Sequence, residues 1–135
     1  MQIKNSFRSR RRRGVAAVEF AVCLPVIVLL VFGSIEASSF IFLKQSLSVA
    51  AYEGIREAIR EGATSAQAIQ SAENILNARE VRDFTVSLSG GEVRSARRGQ
   101  EIVIEVSAPT ATNSPLAGGF VANRTLTARV VMVKE

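Results

Sequence analysis

The sequence predicts an α+β chain: a long N-terminal helix, membrane-spanning in its first half, packed on a small antiparallel sheet of three or four strands. Three observations predict it. Sixteen residues without a charge lie between Glu19 and Glu36. The apolar pattern beyond Lys44 keeps a three-and-four spacing but gains a charged side. The last third alternates apolar and polar residues between Gly and Pro signals. The expected organisation is a basic cytoplasmic leader at 1–14, a transmembrane helix at 15–43 and an exported α+β domain at 44–135.

The leader holds Lys4, Arg8, Arg10, Arg11, Arg12 and Arg13 with no acid and ends at Gly14. With 17 Lys and Arg against 12 Asp and Glu in the whole chain, the remainder is close to neutral. The basicity is therefore a local signal and not a field over the whole protein. No apolar period is visible in the leader, which reads as a flexible tail.

Val15 to Leu43 reads VAAVEFAVCLPVIVLLVFGSIEASSFIFL. A membrane helix needs about 20 such residues. The core helix of a soluble domain fits less well, because Val22 to Phe32 is apolar all round and leaves no stripe to face water. Arg10–Arg13 on one side orient the span, with the N-terminus in the cytoplasm. Pro25 removes one helical hydrogen bond, which membrane helices tolerate.

Beyond Lys44, Leu47, Ala50, Ala51, Gly54, Ile55, Ala58 and Ile59 form an apolar face. Glu53–Arg56 and Glu57–Arg60 pair at i,i+3 on the other side. Gly62 is the expected stop, so one helix should run from about Val15 to Glu61. Thr64-Ser-Ala-Gln67 is a capping box for a second helix ending near Ala78, with Ile69, Ala72, Ile75 and Leu76 on its apolar face. Phe84, Val86 and Leu88 alternate as a strand. Gly90-Gly91 marks a turn before Glu92-Val93. Ile102, Ile104 and Val106 form another strand. A loop with two prolines, which includes Gly118-Gly119, precedes a last strand from Leu126 to Val133.

Several function classes recede on composition. There is no histidine, which removes the usual general base and the commonest metal ligand. The one cysteine, Cys23, lies in the apolar run and forms no internal disulfide. Val22 before it does not suit a lipobox, and Ile35 and Ala37 fit signal peptidase I poorly. No nucleophile–base pair is visible. The expectation is a protein that is not an enzyme, with no cofactor, no metal and no small-molecule substrate. An arginine run can bind phosphates, but directly before a membrane helix it reads as topology, so no nucleic acid is expected.

The informative text is Arg10-Arg11-Arg12-Arg13-Gly14, then Val15-Ala16-Ala17-Val18-Glu19-Phe20. A basic leader, a glycine, four apolar residues, a glutamate and a long apolar helix resemble the class III signal sequence of type IV prepilins. The resemblance implies cleavage by a prepilin peptidase between Gly14 and Val15. It also implies that Glu19 and the adjoining Phe20 belong to a subunit-pairing region in the membrane. There Glu19 meets the freed amine of a neighbouring subunit. Residue chemistry agrees: glycine offers a protease an unhindered backbone. A charge inside a membrane helix is a functional-site hypothesis by default.

The closer resemblance is to TadE-like minor pilins (pseudopilins) of tight-adherence, Flp-type IVb pilus systems. Their pattern RGxxxVEFAxxxPxxLLLxFG, followed by a segment like AxxEGAR, is met here by RRGVAAVEFAVCLPVIVLLVFG and AAYEGIREA. The likeness covers roughly residues 12–62. It implies a pilin-like fold and a bacterial inner-membrane protein whose C-terminal domain is periplasmic, extracellular or in the pilus. Implied partners are the prepilin peptidase, other pilin and pseudopilin subunits, the pilus assembly platform and the membrane. Val15 stands where other type IV pilins carry phenylalanine. The sizeable exported domain implies a minor component contributing to adhesion. The alternative is an uncleaved, membrane-anchored binding module of the envelope, with the arginines serving topology alone.

Glu36, near the outer end of the run, reads as an interface marker or a further subunit contact. Gly33 would admit close helix approach. Gly54 costs about 1 kcal/mol against alanine in a helix interior, which close packing on the sheet would explain.

Overall fold

A computed structural model of the protein describes residues 7–116 and 123–134, with side chains from residue 14 onward. Residues 1–6, which include Lys4, and the Gly118-Gly119 pair lie outside the described residues.

Good helix formers and an apolar run make the first element. Helix α1 spans Phe7–Ala58, 52 residues. It therefore starts within the leader, where a structureless tail was expected. Arginine has a high helix propensity, and extending a helix already nucleated costs far less than starting one. Pro25 sits inside α1 without ending it. Its missing N–H leaves the Ala21 carbonyl without the usual partner. Ser34 Oγ donates to the Leu30 carbonyl at 2.6 Å, so that hydroxyl is satisfied within the helix itself.

The helix ends at Ala58, three residues before the expected limit. Gly62, with φ +76°, supplies the left-handed conformation of the turn that follows. The Lys134 ammonium donates to the Ala58 carbonyl at 3.1 Å and the Arg60 carbonyl at 2.9 Å. A cation there also suits the negative end of the helix dipole.

Packing divides the chain into two units, one up to Ile35 and one from Glu36 onward. In the second unit Leu43, Leu47, Ala50, Ala51, Ile55 and Ala58 of α1 are buried. Residues 36–43, assigned on sequence to the membrane stretch, thus belong to the unit that holds the sheet, and Leu43 is only 3% exposed.

Helix α2, Ser65–Ala78, begins at the capping box: Gln67 N–H donates to Thr64 Oγ1, and the Gln67 side chain accepts from Thr64 N–H at 2.9 Å. Ala68, Ala72 and Leu76 are its buried face.

Three antiparallel strands follow: β1 Thr85–Ser89, β2 Glu101–Pro109 and β3 Thr125–Val133, in spatial order β1-β2-β3. Alternation places Ile102, Ile104, Val106 and Ala108 of β2 in the core and its odd-numbered neighbours outward. Phe84, Val86 and Leu88 pack against that core.

Glu92-Val93 does not form a strand. Val93–Ser95 is a 3-10 turn. Ser65 explains it, because its N–H donates to Glu92 Oε1 at 3.0 Å and its Oγ accepts from Val93 N–H at 3.0 Å. These bonds fold the segment back onto the start of α2 and bury Val93.

Side chains order the sheet unit along α1. Ser114 meets Glu36, Lys44 donates to the Thr127 carbonyl, and Lys134 meets Ala58. Ser114 therefore lies at the Glu36 end and the end of β3 at the Ala58 end.

Candidate subunit-contact helix

All the residues singled out as a cleavage and pairing region lie on α1. Arg10–Arg13 fall on its first turns, with side chains outside the described residues. The Gly14–Val15 bond is helical. A side chain at Gly14 would meet nothing within 4 Å. Neither packing within the chain nor a positive φ accounts for this glycine, which costs about 1 kcal/mol in a helix.

Glu19 follows Val15 by one turn and stands on the same helix face. Both are exposed, as is Phe20. The large apolar side chains from Val15 to Ile35 are likewise exposed, and the most apolar stretch of α1 has none of its residues buried. Residues 15–35 rise about 30 Å, close to the hydrocarbon thickness of a bilayer. By length and composition this helix can cross a membrane. Gly33 also has nothing within 4 Å of a Cβ position, leaving room for another helix to approach.

Within the sheet unit α1 has a second exposed apolar feature. Ser38, Phe42, Gln45, Val49, Tyr52 and Arg56 recur at alternating spacings of four and three, on the side opposite the buried face. Phe42 and Tyr52 are each 51% exposed. Sequence reasoning followed the apolar face from Leu47 and passed over this stripe. Its signal was present in the period of Phe42, Val49 and Tyr52, offset from the core residues.

Glu36 belongs to neither surface. It is 6% exposed and accepts a hydrogen bond from Ser114 Oγ at 2.6 Å. Its carboxylate is occupied inside the sheet unit. The pairs anticipated on the outer side of α1 do form, Glu53–Arg56 at 3.8 Å and Glu57–Arg60 at 2.9 Å. Both pairs are surface features of small energetic weight.

Elsewhere the chemistry is sparse. No group of three or more potential metal ligands gathers among the described residues. A shallow polar groove lined by Glu57, Gln67, Gln70, Ser71 and Asn74 presents amides and one carboxylate. Hydrogen bonds from Ser65 hold the Glu92 carboxyl below its ordinary range.

What remains is an uncovered apolar helix with one carboxylate five residues after a glycine. Residues 14–56 match the family model of the TadE-like proteins. The TadE-like segment begins at Gly14, ends at Arg56 and leaves α2 and the sheet outside it. It points to a Tad pilus system. The likeness read from residues 12–62 is thus met over nearly the same stretch. No curated protein and no solved structure matches the chain.

Proposed function

We propose that this protein is a minor pseudopilin of a Tad-type pilus or secretion system. A prepilin peptidase removes residues 1–14 between Gly14 and Val15. Helix α1 anchors the product in the bacterial inner membrane with its N-terminus cytoplasmic. The sheet unit is exported, and the protein contributes to adhesion through pilin and pseudopilin neighbours and the assembly platform.

The observation that carries this reading is the exposed apolar run of α1 with Glu19 five residues after the glycine that opens the TadE-like segment. A carboxylate at the centre of a membrane helix costs about 2.5–3.5 kcal/mol, and less towards the edge. A fresh ammonium group at Val15 of a neighbouring chain neutralises it, and cleavage is the step that creates that group. A glycine at position 14 that packing does not require is accounted for by the peptidase. Arg10–Arg13 keep the cut site out of lipid and set the topology. The stripe at Phe42, Val49 and Tyr52 extends the contact surface of α1 beyond the apolar run.

A second reading rests on the helical Gly14–Val15 bond: an uncleaved, anchored binding module of the envelope. Mass spectrometry of the native protein from cells with an active peptidase separates the two. A chain starting at Val15 supports the pseudopilin, and an intact Met1 supports the anchored module. Glu19→Ala then tests the pairing. Piliation and co-purification with other subunits should fall, and unchanged values would remove Glu19 from the mechanism.

A further inference from the structure

We propose that the turn carrying Arg94, Arg97 and Arg98 is a docking site for the closely spaced phosphates of an anionic polymer. The inference goes beyond the pseudopilin reading and rests on the sheet unit alone.

Residues 90–100 hold three arginines and one acid, Glu92. All three arginines are exposed. Among the described residues none of their guanidinium groups makes a hydrogen bond or an ion pair, and the ion pairs that form belong to Arg56 and Arg60. The ionic groups around them are engaged elsewhere. Glu92 accepts the Ser65 N–H at 3.0 Å and is held ionised by Ser65 and, more weakly, by Arg94. The Lys134 ammonium donates to the Ala58 and Arg60 carbonyls. Glu101, exposed at the start of β2, offsets one further charge. A positive excess remains at Arg97 and Arg98.

The backbone beneath the arginines is fixed. Val93 is buried, and Ala96 N–H donates to its carbonyl at 3.2 Å. Arg97 N–H donates to Gln100 Oε1 at 3.0 Å, and Gln100 N–H donates to the Arg97 carbonyl at 3.0 Å. Gly99 N–H donates to the Lys134 carbonyl at 2.8 Å, and Lys134 N–H to the Gln100 carbonyl at 2.9 Å. The turn is thereby tied to the end of β3, and little of it has to be ordered when a ligand binds.

The kind of partner follows from what accompanies the arginines. Residues 90–100 contain no aromatic residue. Their apolar side chains, Val93 and Ala96, are buried and half-buried. A protein interface is anchored by apolar or aromatic groups at its centre, and single-stranded nucleic acid is held by stacking on aromatic rings. The turn offers neither. It offers charge and the planar guanidinium fork, which matches phosphate oxygens two at a time. A chain of phosphates is bound by such a site without further contacts, through charge neutralisation and the release of counterions.

The test uses the full chain in detergent, with long-chain inorganic polyphosphate as the probe. Phenylglyoxal modifies accessible guanidinium groups, and mass spectrometry reads each arginine separately, the leader arginines included. Polyphosphate should slow modification of Arg94, Arg97 and Arg98 several-fold and leave Arg82, Arg124 and Arg129 unchanged. The protection should vanish at high salt. Gln100→Ala, which removes the side-chain bonds under the turn, should weaken it with the circular dichroism unchanged. A DNA duplex that protects the same three arginines supports a site for phosphate chains. Equal rates with and without polyphosphate, or protection shared by Arg82 and Arg124, overturn the inference. Polyglutamate protecting as well as polyphosphate overturns the preference for phosphate. Protection by phosphatidylglycerol vesicles alone overturns the polymer in favour of a lipid surface. Full protection in Gln100→Ala removes the role given to the fixed turn.

Discussion

Gly54 and Ile104 meet so closely that a side chain at position 54 would force its neighbours to shift: a Cβ on Gly54 would stand 2.5 Å from Ile104 Cδ1. The same atom would lie 3.0 Å from Ala72 Cβ and 3.1 Å from the Ala68 carbonyl oxygen. Helix α1 therefore touches strand β2 and helix α2 at one point, and glycine is what lets all three approach.

Gly54→Val should destabilise the sheet unit by about 2 kcal/mol, because overpacking a tight core costs about 1–3 kcal/mol. The Ile104 tip can rotate away, but the Ala68 backbone cannot. Thermal or denaturant unfolding of the solubilised full chain measures the loss. Gly33→Val serves as the comparison, since its Cβ position is open, and should leave that transition unmoved. Equal effects at both positions would contradict the packing described.

Glu92 should link stability to pH. Hydrogen bonds from Ser65 lower its pKa in the folded state. A carboxylate with a lowered folded-state value stabilises the fold above the unfolded-state value, and the gain disappears as pH falls through the folded-state value. The protein with Glu92→Gln should melt at a lower temperature than the unsubstituted chain at neutral pH, and the two should converge in acid. Parallel melting curves across that range would show that the charge of Glu92 contributes nothing.

The exposed stripe of α1 should lie between chains when the protein is assembled. With Cys23→Ser as background, Val49→Cys should oxidise to interchain disulfides in native membranes at several-fold the yield of Arg97→Cys. Position 97 is exposed and stands apart from the stripe. Equal yields from the two positions would sink the idea that Phe42, Val49 and Tyr52 form a contact surface.

Local patterns made much of this legible in the sequence. Spacing revealed α1 from its apolar run, α2 from the capping box at Thr64 and Gln67, and two of the strands from the apolar residues around Val86 and Ile104, whereas the alternation of the last strand is blurred at Val130–Val133. Such signals depend on neighbours a few residues apart, which any single stretch of chain contains. Glu92-Val93, after the expected Gly90-Gly91 turn, adds no fourth strand among the described residues because Ser65, distant in sequence, binds that segment and turns it.

The sequence by itself determined that a long uncharged helical run follows a cluster of arginines, and that a small sheet comes after it. Charge and apolar spacing along one strand of chain are enough for that. Only the tertiary structure decided that Glu36 is buried against Ser114, which atoms Gly54 meets, and that Phe42, Val49 and Tyr52 stay uncovered. An α-helix carrying apolar residues on two faces does not specify which one the rest of the chain will cover. That choice is made by the elements that meet it.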